Sequence, residues 1–227
     1  MSETTKLKAE DGHELDAYVA MPAGDPIAAL VVVQEIFGVN GHIRSVADGY
    51  AKDGFLAIAP ALFDRVERGV ELAYEGEDVR KAMALGKKLN IEDALKDMAA
   101  AIDYGRKRTA KKTGVIGYCF GGSVAWLAAC RLTVDAVVGY YGGMIPQYAA
   151  EQPRCPVMLH FGRKDQHITR ESIAKIEAAH PGVPVHLYDA GHAFNCDVRA
   201  SYDAGAASLA RKRSLAFLTE NLSEAQR

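Results

Sequence analysis

Residues 113–122 read TGVIGYCFGG, a stretch that predicts a short buried strand leading directly into a helix. The strand ends near Gly117 and the helical pattern starts at Phe120, so Cys119 stands in the turn between them. Gly117 and Gly121 flank it in a glycine–x–nucleophile–x–glycine pattern, with cysteine where serine is usual. Such a turn brings backbone segments close together, so the positions two residues before and after the nucleophile must leave space for the backbone. The pattern therefore predicts an exposed nucleophile at the end of a strand.

Cys119 has chemical support in this turn and also a simpler interpretation. The start of a helix and a nearby histidine both favour a thiolate, and the Phe120 amide could face a developing oxyanion. Alternatively, Cys119 is a small buried residue beside a glycine-rich turn. Ser123 is another candidate nucleophile, but it falls inside the predicted helix.

Short β-branched runs alternate with helical patterns along the rest of the chain, which predicts an α/β fold with a mostly parallel central sheet and helices on both faces. The other strands are predicted over Ala28–Val33, Phe55–Ala59, Val134–Tyr140, Val157–Phe161 and Val185–Tyr188. The helices are predicted over Ile43–Lys52, Asp78–Leu89, Ile91–Lys107, Phe120–Cys130, Thr169–Ala179 and Ser201–Asn221. Alternation within Lys6–Met21 predicts an N-terminal antiparallel hairpin at the sheet edge. The charged stretch Asp64–Glu77 is interpreted as a solvated loop, and residues 1–227 are predicted to form a single domain.

Two further residues follow predicted strands directly and complete a catalytic set. Asp165 comes after Val157–Phe161, and His192 comes after Val185–Tyr188. Catalytic groups of open α/β sheets gather at the carboxyl ends of strands. The chain order of nucleophile, acid and histidine is that of α/β-hydrolases. Asp165 could instead cap a turn, His192 could be a surface histidine, and His167 competes with His192 for the role of base.

Composition excludes several other classes of protein. A net charge of −2 over 227 residues gives no pull toward nucleic acid or an anionic membrane. The sequence contains no apolar run near the ~20 residues of a membrane span, and its first residues lack the apolar core of a secretory signal. We therefore expect a cytoplasmic protein. The four cysteines are too scattered for a zinc site or a redox pair, so free thiols and no metal are expected.

The motifs together resemble the dienelactone hydrolase (carboxymethylenebutenolidase) family of the α/β-hydrolase superfamily over nearly the whole chain. The matching segments are Gln34–Asn40 (QEIFGVN), Gly117–Gly122 (GYCFGG), Tyr140–Gly142 (YYG), Gly162–Asp165 (GRKD) and Gly191–Phe194 (GHAF). The resemblance implies hydrolysis of small lactones or esters without a cofactor. It further implies that the Ile36 and Phe120 amides form the oxyanion hole and that Glu35 contacts Cys119 and assists its activation.

The part implied for Glu35 is not obvious from charge alone, because a carboxylate beside a thiol disfavours the thiolate. Glu35 makes sense as a proton acceptor that moves away, or as a switch that keeps the thiol quiet until substrate arrives. The second role would limit oxidation of an exposed thiolate. Glu35 could also merely cap a loop.

The substrate side departs from the family pattern. The resemblance implies that arginines, with a tyrosine and a serine, hold a substrate carboxylate, and Arg80 stands where one such arginine is expected. The tyrosine position is Ala84, the serine position is Ala193, and the second arginine position is Cys196. Arg199 could substitute from about one helical turn later. Because these changes weaken carboxylate recognition, the hydrolytic machinery is predicted with more detail than the substrate.

Two functions of different classes follow from these residues. The first is a cysteine-dependent hydrolase with Cys119, His192 and Asp165 as a triad and a thioester intermediate, acting on small lactones or esters, with Arg80 favouring an anionic one. The second is a catalytically idle scaffold that binds a small ligand or senses redox state through its thiol. A monomer or small homo-oligomer is expected in either case.

Overall fold

The computed structural model describes residues 1–223, which form one eight-stranded sheet, six α-helices and two short 3-10 helices. The strands are β1 (Ser2–Lys8), β2 (Glu14–Ala20), β3 (Ala29–Val33), β4 (Leu56–Pro60), β5 (Thr113–Tyr118), β6 (Ala136–Tyr140), β7 (Val157–Gly162) and β8 (Val185–Tyr188). The helices are α1 (Gly41–Lys52), α2 (Gly76–Lys88), α3 (Ile91–Thr109), α4 (Phe120–Arg131), α5 (Arg170–Ala179) and α6 (Ala204–Leu222). The 3-10 helices span Leu62–Arg65 and Ile145–Tyr148.

The sheet has the strand order β1-β2-β4-β3-β5-β6-β7-β8. Strand β2 runs antiparallel to both of its neighbours. All other neighbouring strands of the sheet, from β3 through β8, pair in parallel. The predicted mostly parallel sheet with an N-terminal antiparallel hairpin is thereby confirmed. The central strands β3, β4, β5 and β6 are buried along their whole length, as expected for parallel strands covered on both sides.

Neighbouring residues of β5 show that helices cover both faces of the sheet. A side chain at Gly114 would meet Leu222 of α6 at 2.6 Å, whereas the methyl group of Thr113 lies against Gly105 of α3. Because successive strand residues point to opposite faces, α3 and α6 lie on opposite sides. Helix α1 lies on the same side of the sheet as α6, since Arg211 of α6 forms an ion pair with Asp53 at the end of α1, at 2.5 Å.

The stretch between β4 and α2 is largely an exposed loop, as interpreted from residues 64–77, but two of its side chains anchor it to the rest of the fold. Val70 and Leu72 are buried, and the Leu72 amide donates to the Phe37 carbonyl at 2.9 Å. At Gly38, whose φ is +81°, any side chain would overlap the Val70 carbonyl. This segment therefore fixes the loop that follows β3, where Glu35 and Ile36 stand.

No helix within residues 1–223 combines the length and the apolar character that crossing a membrane requires.

Candidate active site

Cys119 occupies a strained turn between β5 and α4. Its backbone has φ 54° and ψ −115°, a conformation that residues other than glycine rarely adopt. A side chain at Gly117 would lie 1.9 Å from the Gly121 carbonyl oxygen, and one at Gly121 would lie 2.4 Å from the Val33 carbonyl oxygen. Both glycines are thus required for the turn to form. The half-buried Cys119 thiol is presented at the carboxyl end of the sheet.

The structure brings Cys119, His192 and Asp165 into one hydrogen-bonded row. Nε2 of His192 lies 3.3 Å from the sulfur of Cys119, and Nδ1 lies 2.7 Å from Oδ2 of Asp165. The other oxygen of Asp165 accepts from the His167 amide at 2.8 Å and from the Ile168 amide at 3.1 Å. Asp165 is therefore held from both sides, and it orients the imidazole toward the sulfur.

The charges of this row stabilise one another. Burial opposes a charge on His192, but the hydrogen bonds to Asp165 and Cys119 outweigh it and raise the pKa of His192 to about 10. Burial also opposes the charge of Asp165, but the hydrogen bond from His192 leads the effects that lower the pKa of this carboxyl. The imidazolium form of His192 is thereby favoured, with the Asp165 carboxylate as its counter-ion.

The predicted oxyanion-hole amides lie at the ends of two neighbouring strands. Phe120 starts α4, and Ile36 follows β3. Within residues 1–223, neither amide donates to a backbone or side-chain acceptor, which leaves both N–H groups available to a ligand. Gln34 holds in place the loop between β3 and α1, residues 34–40, which we call the β3 loop. Its side chain donates to the Glu35 carbonyl at 3.2 Å and accepts from the Leu62 amide at 3.1 Å.

Glu35 is fully buried beside this row but is not hydrogen-bonded to it. Among the described residues, neither of its carboxylate oxygens has a hydrogen-bond partner, and the Cys119 sulfur is directed at His192 instead. Burial, and then the nearby charge of Glu35, raise the pKa of Tyr74 and Tyr141 above the usual range. The same two effects raise the pKa of the Cys196 thiol to about 12. Glu35 thus lies close to Tyr74, Tyr141 and Cys196, and it makes no hydrogen bond to Cys119 in this conformation.

The two candidate arginines lie in different settings. Arg80 is exposed on α2 and forms an ion pair with Glu77 one turn away. Ala84 is exposed on the same helix, while Ala193 and Cys196 are buried. Arg199 lies 5.7 Å from the ring centre of Phe37 and 5.5 Å from that of Tyr74.

Arg199, Tyr74 and His42 line an open cleft of about 820 Å³ next to the β3 loop.

The competing candidates are engaged elsewhere. The Ser123 hydroxyl is buried within α4 and accepts from the Met144 amide at 3.0 Å. His167 is exposed and meets the ring of His192 edge-on, with 5.6 Å between the ring centres.

Sequence reasoning missed four residues around this site. Gln34 braces the β3 loop, and Tyr141 packs its ring 5.1 Å from that of His192. His42 pairs with Asp197 at 3.0 Å, and Cys196 lies beside Glu35. Tyr141 carried a usable signal, since it follows a strand as Asp165 and His192 do. No spacing in the sequence links His42 with Cys196.

The strand order, the strained turn and the chain order of Cys119, Asp165 and His192 are typical of the α/β-hydrolase class, whose members act on esters and related carboxyl derivatives. The profile of the dienelactone hydrolase family matches residues 15–222. The chain therefore belongs to the dienelactone hydrolase family.

Relatives and solved structures agree with this membership. The chain is 35% identical to a carboxymethylenebutenolidase of Pseudomonas putida, with 96% of each chain covered. It is 29% identical to carboxymethylenebutenolidase 1 of Cupriavidus pinatubonensis, over 96% of this chain and 97% of that one. A crystal structure from Klebsiella pneumoniae subsp. pneumoniae, of a protein provisionally named dienelactone hydrolase, superposes with a TM-score of 0.85 at 28% identity, covering 97% of this chain and 99% of that one. The chain is thus a carboxylic ester hydrolase of this family.

Proposed function

We propose that this protein is a cysteine-dependent hydrolase of small lactones or esters, of the carboxymethylenebutenolidase type, and that it acts through a thioester on Cys119. The observation that carries the proposal is the row in which the His192 imidazole bridges the Cys119 sulfur at 3.3 Å and the Asp165 carboxylate at 2.7 Å. The names of the Pseudomonas and Cupriavidus relatives support the substrate type.

In the first half of the reaction, the Cys119 sulfur attacks the substrate carbonyl carbon, and the thiol proton resides on His192. The carbonyl oxygen becomes an oxyanion that accepts hydrogen bonds from the Ile36 and Phe120 amides. The bond between the carbonyl carbon and the ester oxygen then breaks, and His192 gives its proton to the leaving oxygen. With a lactone, the released hydroxyl or enol stays tethered to the acyl group, which is now a thioester.

In the second half, His192 takes a proton from water, and the hydroxide attacks the thioester carbon. The carbon–sulfur bond breaks, the acid leaves, and the proton on His192 again neutralises the thiolate. This change of role has a basis in the site, since the hydrogen bond to Cys119 is one of the two that raise the pKa of His192. Acylation removes this hydrogen bond, so the pKa of His192 falls and the ring becomes available as a base.

Glu35 is proposed as a second proton acceptor that reaches the thiol only when the β3 loop or the Cys119 side chain moves. Its burial supports this role, because among the described residues neither of its carboxylate oxygens is engaged in a hydrogen bond, so both are free to accept the thiol proton. Either Glu35 or His192 can hold the proton before attack.

The substrate is proposed to be an anion held by Arg80, with Arg199 as a second cation. Arg80 is exposed and must break its ion pair with Glu77 to bind the substrate anion. Arg199 already lines the cleft next to the β3 loop. The reaction itself needs no metal or organic cofactor. A monomer or small homo-oligomer and a cytoplasmic location stay predictions, although the four free thiols suit a reducing compartment.

The test is a panel of anionic and neutral lactones and aryl esters on the wild type, Cys119→Ala, Ser123→Ala and Cys155→Ala. Activity should be lost in Cys119→Ala and kept in the other two, since Cys155 is a free thiol away from the row. Acid-quenched wild type should carry the acyl mass on the peptide that contains Cys119. Turnover that survives in Cys119→Ala, or no turnover by the wild type on any substrate, contradicts the proposal.

A further inference from the structure

Three buried side chains from separate parts of the chain converge beside the candidate active site. Glu35 comes from the β3 loop, His42 from the first turn of α1, and Cys196 from the segment before α6. One donor atom of each, a carboxylate oxygen, a ring nitrogen and the sulfur, lies within 4.8 Å of the other two. Carboxylate, imidazole and thiolate are the three donor types that hold zinc in proteins.

Two of the three side chains of this cluster, Glu35 and His42, have buried donor atoms without the partners that burial demands. In the part of the chain that the structure describes, both oxygens of Glu35 and Nε2 of His42 are buried without a hydrogen bond. A buried carboxylate without a cation or donors is strongly destabilising. The neighbouring guanidinium of Arg199 is stacked on the rings of Phe37 and Tyr74. A cation between the three side chains would remove this penalty.

His42 is already oriented as a metal ligand. Its Nδ1 lies 3.0 Å from Oδ1 of Asp197, and the His42 side chain is only 4% exposed. A histidine whose Nδ1–H donates a hydrogen bond to a carboxylate keeps a lone pair on Nε2, which is the usual second-shell arrangement around bound zinc. The free Nε2 atom of His42 belongs to the side chain that meets Glu35 and Cys196.

We infer that Glu35, His42 and Cys196 form a binding site for a divalent transition-metal ion of the zinc type. The ion exchanges for the thiol proton of Cys196 and is bound by one sulfur, one nitrogen and one carboxylate oxygen, with a water in the fourth position. Tetrahedral zinc places its ligand atoms about 3.5 Å apart, so the donors close up by about 1 Å. His42 lines the cleft of about 820 Å³ and gives the ion a path from solvent.

The site goes beyond the proposed hydrolysis, which runs without an ion. A metal held by Glu35 keeps this carboxylate away from Cys119 and leaves the proton transfers to His192. Binding of the metal ion therefore leaves His192, and not Glu35, as the proton acceptor for Cys119.

The experiment is a Co²⁺ titration of purified protein that has been stripped with a chelator and kept reduced. Co²⁺ bound by a thiolate in a four-coordinate site gives a sulfur-to-cobalt charge-transfer band and intense visible bands. We expect these bands to saturate at one Co²⁺ per chain and to be displaced by Zn²⁺. The charge-transfer band should vanish in Cys196→Ser and the affinity should collapse in His42→Ala, while the matched control Cys155→Ser keeps both.

Two more variants separate this site from the neighbouring thiol and from simple damage to the fold. Cys119→Ala should keep the charge-transfer band, because the catalytic sulfur is not a ligand. Asp197→Ala should weaken Co²⁺ binding about 10- to 100-fold, the usual effect of removing a second-shell carboxylate, whereas Asp189→Ala should not.

The inference is overturned if the wild type gives no charge-transfer band, if Cys196→Ser keeps it, or if Cys119→Ala loses it. If Cys196→Ser does not fold, His42→Ala provides the test, and an unchanged Co²⁺ affinity in that variant overturns the inference. The readout involves no turnover, so an absence of esterase activity leaves it unaffected.

Discussion

Nε2 of His192 lies 3.3 Å from the sulfur of Cys119, so a proton can pass between these two side chains without a bridging water. The contact joins a residue in the turn after β5 to one in the loop after β8, 73 positions later in the chain. Because Asp165 fixes the opposite side of the ring at 2.7 Å, the position of the imidazole depends on three strand ends at once.

Replacing Asp165 with asparagine should lower kcat about 10²- to 10⁴-fold with a much smaller change in KM, since the ring loses its counter-ion and its fixed tautomer. The measurement is steady-state hydrolysis of an aryl ester. Asp189→Asn is the matched control, because Asp189 lies near the same strand ends but is exposed and paired with Lys164. Equal kcat values for the two variants would contradict the role of Asp165.

The stabilising effect of His192 should depend on pH in a defined direction. The folded pKa of about 10 lies above the ordinary value of 6.5, so the folded protein binds the proton more tightly than the unfolded chain. The contribution to the free energy of unfolding is therefore complete below pH 6.5 and is lost as the pH rises toward 10.

Urea unfolding of the wild type and of His192→Asn at several pH values measures this effect. The difference in free energy of unfolding between the two should shrink across that range. A difference that stays constant or grows with pH would falsify the assigned charge state.

Gly121→Ala should destabilise the protein by at least about 1–3 kcal/mol, the usual result of forcing extra atoms into a close-packed place. The new methyl group would lie 2.4 Å from the Val33 carbonyl oxygen, a backbone atom that cannot rotate away. Gly182→Ala is the control, because a side chain there meets nothing within 4 Å. Urea midpoints compare the two, and equal midpoints would show that the turn tolerates a side chain.

Arg80→Ala should raise KM about 10-fold for an anionic lactone and leave KM for a neutral one unchanged, because a lost charge-assisted contact is worth about 1.5 kcal/mol. Stability should change little, since the ion pair with Glu77 is highly exposed. Arg108→Ala serves as the control, as this arginine pairs with Glu3 at the far end of α3. If only Arg199→Ala shows the selective increase, the anion is bound by Arg199 instead.

The sequence predicted the sheet and the row of Cys119, Asp165 and His192 because both depend on local patterns. β-branched runs mark the strands, and Cys119, Asp165 and His192 each stand directly after one, so parallel pairing brings them to one edge. The packing of residues 64–77 was not predictable in this way. Val70 and Leu72 are buried by contact with the β3 loop, a distant partner that short-range periodicity does not reveal.

The cluster of Glu35, His42 and Cys196 escaped the sequence for a related reason. Metal sites are recognised in sequence by short, regular spacings between ligands, and here 154 positions separate His42 from Cys196. His42 stands just before the helix predicted from Ile43, with no other histidine, cysteine or carboxylate directly beside it in the sequence. Only the folded chain shows that the segment before α6 returns to the β3 loop. A single domain over 1–227 stays a prediction, and residues 224–227 lie outside the described part.

The proposed reactive groups stand just beyond the ends of β5, β7 and β8, which separates the proposed chemistry from substrate selectivity. Their positions follow from the rigid sheet, while Arg80, Tyr74 and Arg199 belong to segments that lie outside it. Such segments can lengthen, shorten or change composition at small energetic cost. Evolution can therefore change the substrate by altering these segments, while the residues at the strand ends stay the same.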